Sequence, residues 1–407
     1  MFDTEQNSTG RSSAGVFIAA CLGMLVFGIV LTTLGAVLPS LMDRFGLLPE
    51  RAGTLFPLLS FGILAGSLVF GPVVDRYGYK TLLLAATALI VVGIEAIAFA
   101  RSLTVARVGI LCIGFGGGVI NGGTTALVAD ISAEGRSAAL SLQGVFFGIG
   151  AVGVPFALGV LADVFAAQAI LAAVGLIVLG PLLYMAATIF PRPKHPQGFP
   201  IADGARLLRE PFILVAGLML FLESGMEITV GGWTATFFRD ELAVGAGRAL
   251  VMLSLYWFGM MLARLAMGTV LRKVMPWRAL IGCLALGLAG AALLLTARTI
   301  IPAALGVFLL GAGFAATFPV VLSYVGDRYA AISGTAFSVS FVMALTGGMT
   351  LPYVTGILGG TYGLRTSFLI VPAGLVLVAM LLSVLVRLAA QRSLATPPAA
   401  QGASTSR

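Results

Sequence analysis

The sequence predicts an all-α polytopic membrane protein with twelve transmembrane helices in two six-helix pseudo-symmetric halves. Of its 407 residues, 59% are hydrophobic and 10% are charged, whereas soluble domains carry about 25% charged residues. The apolar residues form twelve runs, each near the ~20 residues that a helix needs to cross a bilayer. Glycine, proline and acidic residues also recur at a constant sequence offset between the two halves. This composition excludes a soluble enzyme and an intrinsically disordered chain.

The apolar runs define the predicted spans and the domain organisation. The first six lie at about 14–39, 51–71, 81–99, 106–129, 138–162 and 166–190. The second six lie at about 211–238, 248–271, 277–297, 300–325, 332–358 and 363–388. We therefore predict a tail over 1–13, a bundle over 14–190, a linker over 191–210, a bundle over 211–388 and a tail over 389–407. The linker is rich in proline and charge, which breaks the apolar pattern.

An internal repeat relates the two halves. A shift of 197 residues superimposes glycine, proline and acidic positions from the first span to the fifth. The matched pairs include Gly28 with Gly225, Gly35 with Gly232, Gly114 with Gly311, Asp130 with Asp327 and Pro155 with Pro352. Such parallel repeats, related by an axis along the membrane normal, rock about a midplane site in alternating-access transporters.

The distribution of basic residues predicts the orientation. Fifteen of the 24 Lys and Arg residues fall on the side that holds both termini, eight fall on the other side, and Arg264 lies within the eighth span. Because basic loops stay in the cytoplasm, we predict a multi-pass protein of the cell inner (cytoplasmic) membrane with both termini cytoplasmic. The net charge of +8 is scattered over loops, so we expect a lipid bilayer and no nucleic acid as partner.

Cofactor and enzyme chemistry are not predicted. The single histidine, His195, lies in the linker, and no Walker sequence is present. The three cysteines, Cys21, Cys112 and Cys283, lie in apolar runs, where cysteine acts as a small hydrophobe. We therefore expect no enzyme activity, no metal site and no cofactor.

The loop after the second span has the motif that identifies a family. It reads Gly71-Pro-Val-Val-Asp75-Arg76-Tyr-Gly78-Tyr-Lys80 and resembles the G-x-x-x-D-R-x-G-x-[KR] loop of the major facilitator superfamily. Gly71 permits close helix approach and Gly78 a tight turn. The resemblance implies a conformational latch in the outward-open state, in which Asp75 accepts from helix amides or pairs with Arg136. The alternative is an ordinary charged turn.

A second resemblance is narrower. The seventh span, Phe221 to Trp233, and the Tyr256-to-Arg264 stretch of the eighth resemble the fucose–galactose–glucose:proton symporters of the superfamily. This resemblance implies cation-coupled sugar transport. The acids that this branch carries near the end of the first helix and in the fourth are absent, with Gly35 and Val119 in the corresponding stretches.

Three intramembrane acids are candidates for cation coupling. Glu223 and Glu227 are four residues apart and share a helix face. Two like charges in a low dielectric do not both ionise, so one of them should hold a proton near neutral pH. Glu227 could instead form a structural hydrogen bond, and Glu223 could pair with Arg264. Glu95 is either a structural acid or part of a cation path.

Six residues are candidates for substrate binding. They offer hydrogen bonds, a positive charge or aromatic faces on which a sugar can stack, and are Asn121, Gln143, Thr229, Trp233, Tyr256 and Arg264. Asn121 could alternatively make an inter-helix hydrogen bond, and the aromatic residues could serve in helix packing or in the interfacial belt.

The predicted function is secondary transport of a small polar solute, a sugar or polyol in the first instance, coupled to H⁺ or Na⁺. The alternative is proton-coupled efflux of an amphipathic drug or metabolite. A third hypothesis is a receptor or scaffold that does not transport. We expect the protein to be a monomer.

Overall fold

The structure, a computed structural model, describes residues 2–132, 136–191, 207, 209–329 and 332–395. Its helices are α1 (Phe2–Phe45), α2 (Pro49–Ala52), α3 (Leu55–Ala98), α4 (Leu103–Ile131), α5 (Arg136–Leu161), α6 (Ala167–Ala187), α7 (Pro211–Leu242), α8 (Ala246–Val270), α9 (Pro276–Thr296), α10 (Ile300–Phe314), α11 (Thr317–Arg328), α12 (Ser333–Tyr362), α13 (Leu364–Ser367) and α14 (Ile370–Ala395). The described residues contain no strand. The all-α class predicted from the sequence is confirmed.

The termini and the linker differ in how far the structure describes them. α1 begins at Phe2, so the backbone of the predicted N-terminal tail is helical. Most of the predicted linker, and the C-terminal tail beyond residue 395, lie outside the described residues. The domain boundaries therefore stay predictions.

Eleven helical segments of the described residues are long and apolar enough to cross a membrane. The segment that contains α3, Pro49–Ala98, covers two of the twelve predicted spans. A straight helix of 44 residues would be about 66 Å long, twice the ~30 Å hydrocarbon thickness. α3 is interrupted at Gly78, which has φ 78° and ψ 168°. Only glycine adopts such a conformation without steric cost.

The packing of α3 on α4 shows that the chain reverses at Gly78. The arm of α3 before Gly78 runs parallel to α4, because its contacts move toward the end of α4 as the residue number rises. The arm after Gly78 runs antiparallel to α4, because its contacts move back toward the start of α4. The pairs are Gly62 with Leu111, Gly66 with Val119, Ile97 with Gly109 and Ala86 with Gly116. The two arms of α3 are therefore antiparallel and lie on two sides of α4.

The repeat predicted from the sequence is visible in this packing. In the first half, Gly114 rests on the backbone of Leu59; in the second half, Gly311 rests on the backbone of Tyr256. Likewise Gly93 faces Gly109, and Gly290 faces Gly306. Each residue of the second set lies 197 positions after its counterpart. Small residues at these positions let helix backbones approach closely, as in other membrane bundles.

The two halves meet closely at one face. We call the face with the α1–α2 link (46–48) and the α7–α8 link (243–245) the far face, and the face with Gly78 the near face. Across the halves, glycines meet backbone near the far face: Gly35 on Gly231, Gly159 on Gly247 and Gly53 on Gly356. An ion pair of 2.9 Å joins Arg239 to Asp43 there. The halves are therefore closed together at the far face.

Candidate functional site

The central cluster consists of Glu223, Glu227, Tyr256, Arg264 and Phe147. α7 contributes two glutamates that are almost wholly buried, with Glu223 1% and Glu227 9% exposed. α8 brings Arg264 to Glu227, with 3.6 Å between the guanidinium nitrogen and Oε2. Glu223, Glu227 and Arg264 are near enough to interact electrostatically. The structure thus joins two predicted coupling acids to a predicted binding residue.

The ion pair between Glu227 and Arg264 is loose. A charge-assisted hydrogen bond has a donor–acceptor distance of about 2.7–2.9 Å, and the 3.6 Å separation exceeds it. The Arg264 side chain keeps 35% of its surface exposed, while that of Glu227 keeps 11%. Arg264 is therefore held by charge and not by a tight hydrogen bond, and it stays accessible.

Glu223 is buried, and no donor group among the described residues gives a hydrogen bond to either of its carboxyl oxygens; its carboxyl neighbour is that of Glu227. Transfer of an isolated carboxylate to such a site costs several kcal/mol. The side chain lies one helical turn before Glu227, so the two carboxyls face the same region. The pairing of Glu223 with Arg264 that the sequence left open is not formed, because Arg264 pairs with Glu227.

Tyr256 forms a hydrogen bond with the backbone of α7. Its hydroxyl donates to the backbone carbonyl oxygen of Glu227 at 3.2 Å, and its ring packs edge-on against Trp257 at 5.0 Å. The side chain is fully buried. Tyr256 therefore positions Glu227 in this conformation and offers no free face to a solute.

Phe147 of α5 brings the first half to the cluster, and the sequence reasoning did not identify it. Its ring lies 5.7 Å from the Arg264 guanidinium carbon, 5.7 Å from the Phe27 ring and 6.4 Å from the Trp257 ring. A cation over an aromatic face is attracted by the ring quadrupole. Nothing in the sequence distinguishes this phenylalanine from the other 25 in the chain, which has 26 in total.

Gln143 lies on the same face of α5, one turn before Phe147. It is 2% exposed, and its Nε2 has no hydrogen-bond partner in the part of the chain that the structure describes. The register of α5 against α8 is antiparallel, since Gly159 meets Gly247 and Gly148 meets Met261. This register puts Gln143 at the level of Arg264.

Trp233 does not line an open site, contrary to the expectation from the sequence. It is fully buried and donates its indole N–H to the carbonyl oxygen of Pro352 at 3.0 Å. Its ring packs on Phe56 of the first half at 5.6 Å. The alternative interpretation, helix packing, describes this residue in the present conformation.

The remaining candidates for binding are less directly placed. Asn121 is half-buried on α4, between the face that packs on α1 and the face that packs on α3. Thr229 is fully buried on α7, and its hydroxyl oxygen has no hydrogen-bond partner among the residues that the structure describes. These two residues stay candidates.

Glu95 lies apart from the central cluster. It is half-buried on the second arm of α3, and a Cβ added to Gly175 of α6 would collide with its Oε1. Within the described ranges, that oxygen has no hydrogen-bond partner. Glu95 therefore lies at the α3–α6 contact, and both of its predicted roles, a structural acid and part of a cation path, stay predictions.

The predicted latch lies at the near face. Gly71 is buried, Asp75 and Arg76 are exposed, and Lys80 is half-buried. The Arg76 guanidinium lies over the ring of Tyr77 at 5.4 Å. The side chain of Arg136, the predicted partner of Asp75, lies outside the described residues.

A hydrogen bond that the sequence reasoning missed lies beside this latch. Tyr79 is 1% exposed, and its hydroxyl donates to Oδ2 of Asp130 at 2.8 Å. It joins the second arm of α3 to the end of α4. The available signal in the sequence was Tyr79 itself, which lies within the motif three residues after Arg76.

Known proteins resemble this chain along most of its length. The family model described as Major Facilitator Superfamily matches residues 20–344. A Bacillus subtilis (strain 168) protein described as "Uncharacterized MFS-type transporter YfkL" is 20% identical over 372 residues, 89% of this chain and 93% of the relative.

Solved structures share the fold. A mutant form of the nucleoside transporter NupG superimposes with a TM-score of 0.78 at 14% identity, over 92% of this chain and 99% of that one. A D-xylose-proton symporter superimposes with a TM-score of 0.75 at 16% identity, over 91% and 97%. A bacterial homolog of the human lysosomal transporter Spinster, inward-facing and occupied, gives 0.76 at 14% identity, over 92% and 97%.

Proposed function

The chain belongs to the major facilitator superfamily, whose members are transporters and not enzymes, and from this premise we propose that it is a secondary active transporter. It moves a small polar solute by alternating access, coupled to H⁺ or Na⁺. A sugar or polyol is the solute class that the sequence resemblance implies. The proposal places the protein in the cell inner membrane as a monomer, with the near face and both termini in the cytoplasm.

The observation that carries the proposal is the Glu227–Arg264 pair beside Glu223. A cation-coupled carrier needs a carboxyl group whose protonation changes with its conformation, and intramembrane carboxyls are functional in most known cases. Glu227 has one positive partner at 3.6 Å and one carboxyl neighbour a helical turn away. When Arg264 moves away or pairs with another anion, the buried Glu227 carboxylate loses its counter-ion. It is then stabilised either by binding H⁺, which makes it the neutral acid, or by pairing with Na⁺.

The contact with Phe147 supports coupling between the halves. Arg264 belongs to the second half and Phe147 to the first, and they are 5.7 Å apart. When the halves rock, Arg264 loses or gains this aromatic face, so its attraction for Glu227 changes with conformation. A ligand shifts such an equilibrium only through its different affinities for the two states.

The closed far face supports an assignment of this conformation to the state that is accessible from the near face. The Gly35–Gly231 and Gly159–Gly247 contacts lie toward the far ends of the helices. The central cluster then exchanges solute and cation through the near side. In the opposite state, the same cluster opens toward the far face.

The test is transport into proteoliposomes that contain the purified protein, with a panel of radiolabelled sugars, nucleosides and organic acids. Glu227→Gln is expected to lower accumulation driven by a proton or Na⁺ gradient at least ~10-fold, while exchange of solute at equal pH continues. The control is Glu210→Gln, the same change at the exposed start of α7, which should accumulate normally. Full accumulation by Glu227→Gln refutes the assignment.

A proton-coupled efflux antiporter is the second candidate. Its support is the aromatic surface beside the acid, where Phe147 contacts both Phe27 and Trp257. Flat aromatic faces suit an amphipathic cation. Proton-dependent expulsion of a lipophilic cation from proteoliposomes, with no uptake of polar solutes, would select this function.

A further inference from the structure

We infer that the solute of the central cluster carries a carboxylate, bound by Arg264 and Gln143 in place of Glu227. The solute class is a small hydroxylated monocarboxylate, such as a sugar acid, and not a neutral sugar. The inference rests on the proposed function, because it concerns the solute of that same site.

Arg264 has unused hydrogen-bonding capacity. A guanidinium has five N–H donors in a planar fork that fits a carboxylate with two parallel bonds. Among the described residues, Arg264 has Glu227 at 3.6 Å and the Phe147 ring at 5.7 Å, and no hydrogen bond within ordinary distance. Its donors are therefore available, and a third of the side chain is exposed.

Gln143 adds a neutral donor at the same level. Its amide nitrogen is buried and has no partner among the described residues, a condition that native proteins rarely leave uncompensated. The side chain shares a face of α5 with Phe147, over which the Arg264 guanidinium lies. Two unused donors, one from each half, thus lie at the same level of the α5–α8 contact.

The donors and charges select the ligand. A carboxylate accepts hydrogen bonds from both of these donors and also balances the charge of Arg264, which a neutral sugar hydroxyl does not do. The titratable and charged groups that act on Glu227 are Glu223 from its own helix and Tyr256 and Arg264 from α8. Arg264 is the one cation of this set, so the site neutralises one negative charge. The Phe147 face covers the less polar side of the solute.

The binding step exchanges one anion for another at Arg264. The solute carboxylate pairs with the Arg264 guanidinium, and Glu227 becomes a buried carboxylate without a counter-ion. It then binds one H⁺ to become the neutral acid, or one Na⁺. The loaded site therefore gains one anion and one cation, and transport of a monocarboxylate with one H⁺ is electroneutral.

The binding test is thermal unfolding of the purified full chain with matched pairs of solutes. The pairs are gluconate with sorbitol, and lactate with 1,2-propanediol, each tested with and without Na⁺. Because a ligand that binds the folded state raises Tm, an acid at about 100 times its Kd is expected to raise Tm by about 3 °C or more. Its neutral partner is expected to leave Tm unchanged.

Three variants at the proposed residues, with one control variant, assign the effect to Arg264 and Gln143. Arg264→Gln should abolish the shift by the acid, and the exposed Arg272→Gln, on the link after α8, should keep it. Arg264→Lys keeps the charge but not the fork, so it remains informative if Arg264→Gln misfolds. It should bind the acid about 10-fold more weakly, as should Gln143→Leu.

Three results overturn the inference: stabilisation by the neutral partners in place of the acids, stabilisation by neither class, and retention of the acid shift in folded Arg264→Gln. Electroneutrality adds a fourth criterion. In proteoliposomes, a potassium diffusion potential should change the initial rate of proton-coupled gluconate or lactate uptake less than twofold, and a larger acceleration contradicts the exchange at Arg264.

Failure of the inference and failure of the proposed function give different results. Accumulation of a neutral sugar that depends on Glu227 keeps the function and overturns the inference. Arg264-dependent binding of an acid, together with full gradient-driven accumulation by Glu227→Gln, keeps the inference and overturns the coupling role.

Discussion

The far face closes because Gly35 has no side chain. A Cβ at this position would lie 3.0 Å from the carbonyl carbon of Gly231 and 3.0 Å from Cα of Gly232, and nearer still to the Gly231 oxygen. All three atoms belong to the backbone of α7, so no side-chain rotation relieves the contact. We therefore expect Gly35→Ala to favour the conformation in which α1 and α7 part at the far face.

The magnitude follows from the contact. Carbon atoms pack best at about 3.5–4.0 Å, so α1 and α7 must separate by at least about 0.5 Å. Overpacking of this kind costs about 1–3 kcal/mol. Since the contact joins the two halves, the cost falls on the far-face-closed conformation alone. A difference of about 1–3 kcal/mol changes a two-state equilibrium about 5- to 150-fold.

The assay is alkylation of a cysteine introduced at Ala235. This residue is fully buried and lines a cleft of about 520 Å³ at the far face. In a background without Cys21, Cys112 and Cys283, its rate of reaction with a maleimide reports opening of that face. Gly35→Ala should raise the rate about 5- to 150-fold.

Two alanine substitutions serve as controls. Gly153→Ala adds the same atom to an exposed position of α5 with no heavy atom within 4 Å, so the rate should not change. Gly311→Ala adds it inside the second half, against the Tyr256 backbone, and should lower Tm without raising the alkylation rate. A Gly35→Ala rate within twofold of the Gly153→Ala rate refutes the reasoning.

Two further predictions concern hydrogen bonds and charge. Tyr79→Phe removes a donor to the Asp130 carboxylate at 2.8 Å and should lower the free energy of unfolding by about 1.5–3 kcal/mol, whereas Tyr77→Phe at an exposed position should change it by less than about 0.5 kcal/mol. Equal effects in chemical unfolding would contradict this assignment. Asp43→Asn breaks the ion pair with Arg239, in which Asp43 is 71% exposed, so it should cost about 0.2–1 kcal/mol and raise far-face alkylation less than about 5-fold. The effect of Asp43→Asn should vanish at about 1 M salt, where charges are screened. An effect that persists at this salt concentration would contradict its assignment to the ion pair.

Much of the fold follows from local features of the sequence. Hydropathy placed the spans because each backbone must satisfy its hydrogen bonds inside a helix within the bilayer. The turn at Gly78 was predictable because glycine permits a positive φ, and the structure has φ 78° there. The repeat offset was predictable because close helix contacts in both halves need small residues at equivalent positions.

The candidate site was predicted in part. Glu223, Glu227 and Arg264 stood out because charged residues inside spans are rare, and the structure brings them together. Phe147 could not be identified, because an aromatic residue in an apolar run carries no signal of its own. The hydrogen bond of Trp233 could not be predicted, because the acceptor of its N–H is Pro352, 119 residues away, and its role in solute binding stays a prediction.

The sequence by itself determined the fold class, the number of spans, the repeat and the acids inside the membrane. These depend on composition and spacing within one helix or one turn. Only the tertiary structure decided which acid meets Arg264, that Glu95 lies at a separate helix contact, and that the halves are closed at the far face. Those outcomes depend on contacts between helices far apart in the chain, where backbone approach at residues such as Gly35 and Gly159 sets which side chains meet.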